Sequence, residues 1–385
     1  MKNLKKAFSL ITCLAILISA LSFSAVSSSA EEPVHVWDGS VAHSFAGGDG
    51  SEGNPYLIGT PEQLAYFAST YENAYYKLTN DIYMNTVKGN DFDRKNSWIN
   101  NQAGFKGFFD GDGHTIYGLY VPASANAEFA GFIPHAAEGS FAIRNLALSH
   151  SEFNATNISG AFVGKTSGYY SWNAWNKYIS IANCFAYSTV SVNAANIAGG
   201  ILGLFDDWNT GYVFLNIQNC GFTGTVSASQ AGGIMGKEAY AESTVQCCYS
   251  TTGRSIGDYN WGNNKHYSSY SNGSGEWCGF GHLPDEQMKG EAAKTNMTGF
   301  DFDTVWRTVK GGYPELRIFP EKTAEPVKGD VDGDGKLGSE DLTILRKILL
   351  SAFGSETPES ADVNGDENVD ILDLVALKKM IANVA

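Results

Sequence analysis

The sequence predicts a mainly β protein, a right-handed parallel β-helix with an N-terminal capping helix, followed by a small all-α module. Two series of short blocks carry the first part. Ile116-Tyr-Gly-Leu119, Ile143-Arg-Asn-Leu146, Ile181-Ala-Asn-Cys184, Ile217-Gln-Asn-Cys220 and Val245-Gln-Cys-Cys248 align position by position. Each is followed by a second block until the pattern fades: Ala130-Gly-Phe-Ile133, Gly160-Ala-Phe-Val163, Gly199-Gly-Ile-Leu202 and Gly232-Gly-Ile-Met235. Short strands recurring in this way between Gly and Asn turns stack equivalent positions on one another, as in a solenoid. A third observation sets the C-terminal end apart: a duplicated Asp-rich loop runs each time into an amphipathic segment. A β-sandwich is the competing fold, but its strands do not require the same residue at the same place in every unit.

Taken in order, the chain opens with Lys2, Lys5 and Lys6, an apolar run from Ala7 to Val26, and Ser28-Ser29-Ala30. Residues 1–30 read as a secretory signal peptide with a small-residue cleavage site. Cys13 lies inside the apolar run, so no lipid anchor is expected. No other stretch approaches spanning length, so a secreted, extracellular chain without membrane insertion is expected. The formal net charge is −15, and loss of three lysines takes it to −18. Such a chain has no electrostatic attraction to nucleic acid or anionic membranes. Five cysteines remain after cleavage (Cys184, Cys220, Cys247, Cys248 and Cys278), an odd number that cannot pair fully within one chain. A monomer is expected.

Residues 31–320 make the β module. A glycine-rich lead-in at 47–58 precedes Thr60, which caps a helix with Pro61 in its first turn and Gln63 at capping-box spacing. Leu64, Phe67 and Ala68 form its apolar face, suited to covering an open sheet end. In the coils, Ile, Leu and Cys form interior ladders, and Asn145, Asn183 and Asn219 form an amide ladder at a turn. Cys184, Cys220 and Cys248 become stacked interior residues, and Cys247 the exposed thiol. Residues 321–327 are a linker and 328–385 the second domain.

Candidate chemistry in the β module is sparse. Asp206 and Asp207, beyond a Gly-Gly-Ile-Leu-Gly block, are similar to the paired carboxylates of β-helix glycosidases, which act across a defined separation. The Gly-His-Gly and Arg-x-Lys motifs that accompany such aspartates in pectin hydrolases are missing after 207. Asp91, Asp93 and Arg94 resemble the acidic calcium site and arginine base of pectate lyases, with a solvated loop as the alternative. Asp110, Asp112 and His114 sit in a Gly-rich turn and are read as turn residues. Aromatics crowd insertions that leave the repeats at corresponding points, and Tyr169, Tyr170, Trp172, Trp175, Trp208 and Trp261 are the candidates for stacking on sugar rings. The alternative is that these rings pack the loops against the solenoid.

The C-terminal loops read Asp330-Val-Asp-Gly-Asp-Gly-Lys-Leu-Gly-Ser-Glu-Asp341 and Asp362-Val-Asn-Gly-Asp-Glu-Asn-Val-Asp-Ile-Leu-Asp373. Oxygen-bearing side chains at positions 1, 3, 5 and 12 suit a hard cation such as Ca²⁺. The expected ligands are Asp330, Asp332, Asp334, the Lys336 carbonyl and Asp341 in one loop, with water at Gly338. In the other they are Asp362, Asn364, Asp366, the Asn368 carbonyl, Asp370 and Asp373, giving two ions in all. Glu367 stands where the first loop has Gly335, a steric cost at positive φ that predicts weaker binding there. Leu342, Leu345 and Leu349 follow the first loop, and Leu374, Leu377 and Ile381 the second. Pro320 and Pro326 argue against a helix before the first loop.

This half-motif, repeated with an offset of 32 residues, closely resembles the type I dockerin family over 328–385. The resemblance implies a scaffoldin cohesin as partner and assembly into a cellulosome. It places cohesin contacts at Ser339, Glu340, Arg346 and Lys347, and at Ile371, Leu372, Lys378 and Lys379. Ser-Glu in one repeat against Ile-Leu in the other breaks the symmetry and predicts one binding orientation, resting on Ile371 and Leu372. The Gly-Gly-Ile-Leu-Gly blocks resemble GLUG-type repeats of secreted bacterial proteins over 45–320. The company dockerins keep implies a part in plant cell-wall polysaccharide degradation, with that polysaccharide as the second partner. It leaves open a hydrolase or lyase on one side and a non-catalytic carbohydrate-binding or adhesion module on the other.

Overall fold

The computed structural model describes residues 34–385 apart from 138–139, 167–176, 207–212, 240–241, 260–264, 274–279, 322–327, 332–336, 351–357, 367 and 385. The expected signal peptide and nearly all of the linker lie outside the described residues.

In–out alternation over part of each long strand builds the principal sheet. Eight of its 14 described strands form one continuous run, β1 (Tyr56–Ile58), β2 (Tyr75–Leu78), β3 (Phe108–Tyr117), β4 (Phe141–Ser149), β5 (Lys177–Ala182), β6 (Val213–Gln218), β7 (Glu242–Gln246) and β8 (Lys265–Tyr267), each parallel to the next. Register aligns Tyr76, Phe109, Ile143, Ile181, Ile217, Val245 and His266 in one interior column. The apolar members of that column are fully buried or nearly so, each removing about 1.5–3 kcal/mol of apolar surface from water. After β4 the chain passes through 151–155, 158–160 and 163–166, and after β5 through 190–194, 197–199 and 202–206. Equivalent passages pair in parallel, giving three further sheets. The protein is thus mainly β, with several parallel sheets and few helices.

The Asn ladder forms at the turn out of the principal sheet. Asn183 Nδ2 donates to Asn145 Oδ1 at 3.0 Å and Asn219 Nδ2 to Asn183 Oδ1 at 3.1 Å. All three adopt left-handed backbone, with φ of 55°, 53° and 52°. Asn tolerates this conformation better than other side chains, and its amide can bond its neighbour above. Cys247 occupies the same place one strand on, at φ 53°, and turns its Sγ toward Gly299 O. Cys184, Cys220 and Cys248 are fully buried, and the four described cysteines are free thiols.

One alignment is corrected. Ile116 pairs with Leu148, and it is Phe109 that stands beside Ile143. The register shifts between Arg144 and Leu146, opposite the Asp110-Gly-Asp-Gly segment. There Asp112 has φ 50°, and a Cβ at Gly111 would lie 2.4 Å from Asn145 O. The strand therefore bulges, and matching residues by spacing alone slips past the bulge.

The helix α1 (Pro61–Thr70) forms where its capping residues predict. Thr60 Oγ1 accepts from Gln63 N, and Gln63 Oε1 accepts from Gly59 N at 2.8 Å. A reciprocal cap of this kind is worth about 1 kcal/mol. Phe67 packs edge-on against Phe105, with its ring centroid 5.1 Å from that of Phe109, so the helix joins the core beneath the principal sheet.

The region after 281 breaks the repeat. Helices α2 (Asp285–Met288) and α3 (Gly290–Asn296) and an antiparallel pair, Trp306–Val309 with Gly312–Leu316, share a second core with Phe185, Tyr249 and Tyr270. Tyr249 Oη donates to Pro314 O at 2.6 Å, satisfying a hydroxyl buried with its ring. Near the C-terminus, α4 (Ser339–Leu350) and α5 (Ile371–Val384) enclose Val331, Leu345, Ala361, Val363 and Leu377. A 3₁₀ turn at Glu359–Ala361 precedes the second loop.

Candidate functional site

The two Asp-rich loops fold as copies. Asp341 Oδ1 accepts from Val331 N at 2.8 Å and its Oδ2 from Gly338 N at 2.7 Å. Asp373 Oδ1 accepts from Val363 N at 2.8 Å and its Oδ2 from Asp370 N at 2.7 Å. Asn364 N also donates to Asp373 Oδ1, at 3.0 Å. Asp373 is 0% exposed and Asp341 nearly so. Each carboxylate closes its loop from the first turn of the following helix, where negative charge also complements the helix dipole.

The rest of the second loop is wound by side-chain oxygens. Asp362 Oδ1 accepts from Gly365 N and Asp366 N, Asn364 Oδ1 from Asp366 N, and Asp366 Oδ1 from Asn368 N. Asp370 Oδ1 accepts from Leu372 N at 2.6 Å. Gly365 supplies a left-handed turn at φ 79°. Among the described residues no three His, Cys, Asp or Glu side chains gather as a preformed centre. The donor set nevertheless fits a hard cation: Asp362, Asn364, Asp366, Asp370 and Asp373 put five side-chain oxygen donors at ligand spacing in one loop, and the Asp373 carboxylate is buried. In the first loop Asp330 is buried, while Asp332, Asp334 and Lys336 lie outside the described residues, as does Glu367 in the second.

Ser339, Glu340, Arg346 and Lys347 on α4, and Ile371, Leu372, Lys378 and Lys379 on α5, are all exposed. The two faces differ as their sequences do. Ile371 and Leu372 are 62% and 57% exposed, and Val375, one turn on, extends the same apolar patch. Val375 was not singled out from sequence, although its i+4 spacing from Ile371 puts it on that face. Contiguous exposed apolar side chains on a small module mark a contact surface.

Of the β-module candidates the structure describes Asp91, Asp93, Arg94 and Asp206, and it joins Arg94 to Asp91. Asp206 ends strand Leu202–Asp206 and its N–H donates to Thr166 Oγ1 at 3.3 Å. Asp207, Tyr169, Tyr170, Trp172, Trp175, Trp208 and Trp261 lie outside the described residues. Arg94 binds Glu152 Oε2 through Nε at 2.8 Å and Asp91 Oδ1 through Nη1 at 2.6 Å, with its guanidinium over the Phe92 ring. Glu152 foremost, then Asp91, raise its proton affinity, which holds the proton where a lyase base must release it. Asp110, Asp112 and His114 serve the turn, tied to Arg144, Lys77 and Asp81 respectively.

Sequence reasoning missed an interior polar cluster. Glu238 stands in register with the buried Phe205, yet is itself fully buried. Ser243 Oγ donates to Glu238 Oε1, and His266 Nε2 lies 3.6 Å from its Oε2. Burial pushes the Glu238 carboxyl up to about 7. The signal was an acid at a position where the preceding unit carries Phe205 and the following one Tyr259.

No curated protein matches the chain. A solved structure of a candidate immunoglobulin A1 protease from Bacteroides ovatus aligns over 71% of this chain and 95% of its own, at 17% identity and a TM-score of 0.47. That likeness says nothing of activity. Among the described residues no helix is long and apolar enough to cross a membrane. Residues 328–382 match the Dockerin type I domain: this segment is a type I dockerin, a module of a class that generally binds calcium, takes a cohesin as partner and supports docking into cellulosomes, whose dockerin-bearing components are typically extracellular.

Proposed function

We propose that the chain is a secreted cellulosome component, held on a scaffoldin by its dockerin, that engages plant cell-wall polysaccharide through its β module. The observation that carries the docking is the copied loop closure, Asp341 on Val331 and Asp373 on Val363, with an apolar patch beside only the second. Two Ca²⁺ ions, one per loop, would be held by Asp330, Asp332, Asp334, Lys336 O and Asp341, and by Asp362, Asn364, Asp366, Asn368 O, Asp370 and Asp373. A bound ion supplies charge compensation that fixes each loop and so the helix behind it. Ile371 and Leu372, with Val375, enter the cohesin; Lys378 and Lys379 rim the contact. Ser339, Glu340, Arg346 and Lys347 form the lesser face.

The β module is read as a right-handed parallel β-helix over residues 31–320, supported by the column of seven register-matched residues and the Asn ladder. The reading best supported for it is carbohydrate binding without cleavage. Arg94, the base a lyase requires, is held in two ion pairs. A hydrolase built on Asp206 and Asp207 is the second reading, favoured by the half-buried strand end at which Asp206 stands and by Trp208, close to the pair in sequence.

The test uses the chain from residue 31 on a panel of plant polysaccharides. Retardation in substrate-loaded gels without product release is expected. Release of new reducing ends, or of unsaturated products, would replace binding by catalysis.

A further inference from the structure

The outward face of the principal sheet carries a built hollow. Its outward column runs Tyr75, Phe108, Ala142, Ser180 across β2 to β5. Tyr75 and Phe108 stack face to face at 4.4 Å with 10° between planes. The next two strands offer only a methyl and a hydroxymethyl in that column. The sheet therefore steps down beside the Phe108 ring, leaving a cavity of about 630 Å³. The adjoining column puts Asp110 and Arg144 along its edge, joined through Nε and Oδ2 at 2.8 Å, with Arg144 64% exposed. A cavity of this size and mixed lining is within the range that holds small ligands.

The charges decide the ligand class. Arg144 is neutralised by Asp110, and Lys77, at the same edge, by Asp112 at 2.9 Å. Glu52 also lines the cavity, and the whole chain is at −15. A polyanion finds no net attraction there. Paired charges set donors beside acceptors at fixed spacing, which suits the adjacent hydroxyls of an uncharged sugar. The ring face of Phe108 suits the C–H face of a pyranose. Tyr178, 58% exposed and stacked on Phe214 at 5.5 Å, stands two strands beyond Phe108, roughly 10 Å along the stack from the ~4.8 Å strand spacing. It stands one outward column to the side of Phe108, two residues before Ser180 on the same strand, so the aromatic platform continues obliquely across the sheet.

We infer that this hollow is a subsite for a neutral pyranose polysaccharide, lying along the stacking direction of the sheet. The inference rests on the reading that the β module engages polysaccharide, and moves the contact from the insertions to the sheet face.

The chain from residue 31 is titrated calorimetrically with cellohexaose, xylohexaose, mannohexaose and polygalacturonate. At least one neutral oligosaccharide is expected to bind and polygalacturonate is not. Phe108→Ala removes one ring-face contact and weakens binding roughly ten-fold. Ser180→Trp fills the hollow, removes no packing contact and abolishes binding at unchanged melting temperature, which decides the matter if Phe108→Ala misfolds. Wild-type affinity in Ser180→Trp overturns the subsite while leaving polysaccharide binding elsewhere. Preference for polygalacturonate overturns the neutral class. No binding to any of the four overturns both the subsite and the reading beneath it.

Discussion

Asp373→Ala isolates what a buried loop carboxylate does for the dockerin. The side chain is fully buried and accepts three N–H groups, from Val363, Asn364 and Asp370, at 2.8, 3.0 and 2.7 Å. Hydrogen bonds to a charged acceptor contribute about 1.5–3 kcal/mol each when the donor cannot regain water. Only the Val363 donor is fully buried; the other two lie nearer solvent and recover part of their hydration. The total is then about 4 kcal/mol. A module this small, with five buried apolar residues at its centre, has only about 3–5 kcal/mol to lose. Amide hydrogen exchange of the full chain, followed by mass spectrometry at saturating Ca²⁺, reads the loss locally. Peptides covering Ile371–Val384 should lose nearly all protection in Asp373→Ala. Asp366→Ala, which removes an exposed candidate ligand, should keep that protection once calcium saturates. Wild-type protection of α5 in Asp373→Ala would refute the reasoning.

Glu238 gives a pH signature in the β module. In the unfolded chain its carboxyl ionises near 4.5, whereas the folded, buried group holds its proton to about 7. Between those values the folded state binds more protons, so stability falls as pH rises, by roughly 3 kcal/mol in all. Glu238→Gln should flatten that part of the melting-temperature profile between pH 5 and 8; parallel profiles for the two proteins would remove the assignment. At the turn, Asn183→Leu loses both ladder bonds and forces a branched side chain into φ 53°, a cost of about 3 kcal/mol. Asn183→Gly loses only the bonds and should cost less. Equal melting temperatures for the two variants would show that left-handed backbone is not what the Asn serves.

What was legible in the sequence followed from repetition and from ligand spacing. Stacked strands place like residues on like, so the repeat spacing of Ile143, Ile181, Ile217 and Val245 already marks their column. The dockerin was legible because a cation needs oxygens at fixed intervals. Failures came where neither rule operates. The bulge at Asp110-Gly-Asp-Gly slipped the first unit, since spacing cannot reveal a residue that leaves the ladder. The helices and hairpin after 281 obey no repeat, and their core is closed by Tyr249 and Tyr270 from distant strands. The hollow is invisible in sequence because Tyr75, Phe108, Ala142 and Ser180 meet only through register.

The proposed docking depends on calcium and rests on one apolar face. It is tested most directly by titrating the full chain into a set of type I cohesins, in Ca²⁺ and in EGTA. The wild type should bind at least one cohesin in Ca²⁺ and none in EGTA. Ile371→Asp with Leu372→Asp should abolish the binding, whereas Ser339→Ala with Glu340→Ala should leave it within a few-fold, since buried apolar anchors dominate contact energy. Binding that survives EGTA, or that is lost with Ser339 and Glu340 but not with Ile371 and Leu372, would contradict it.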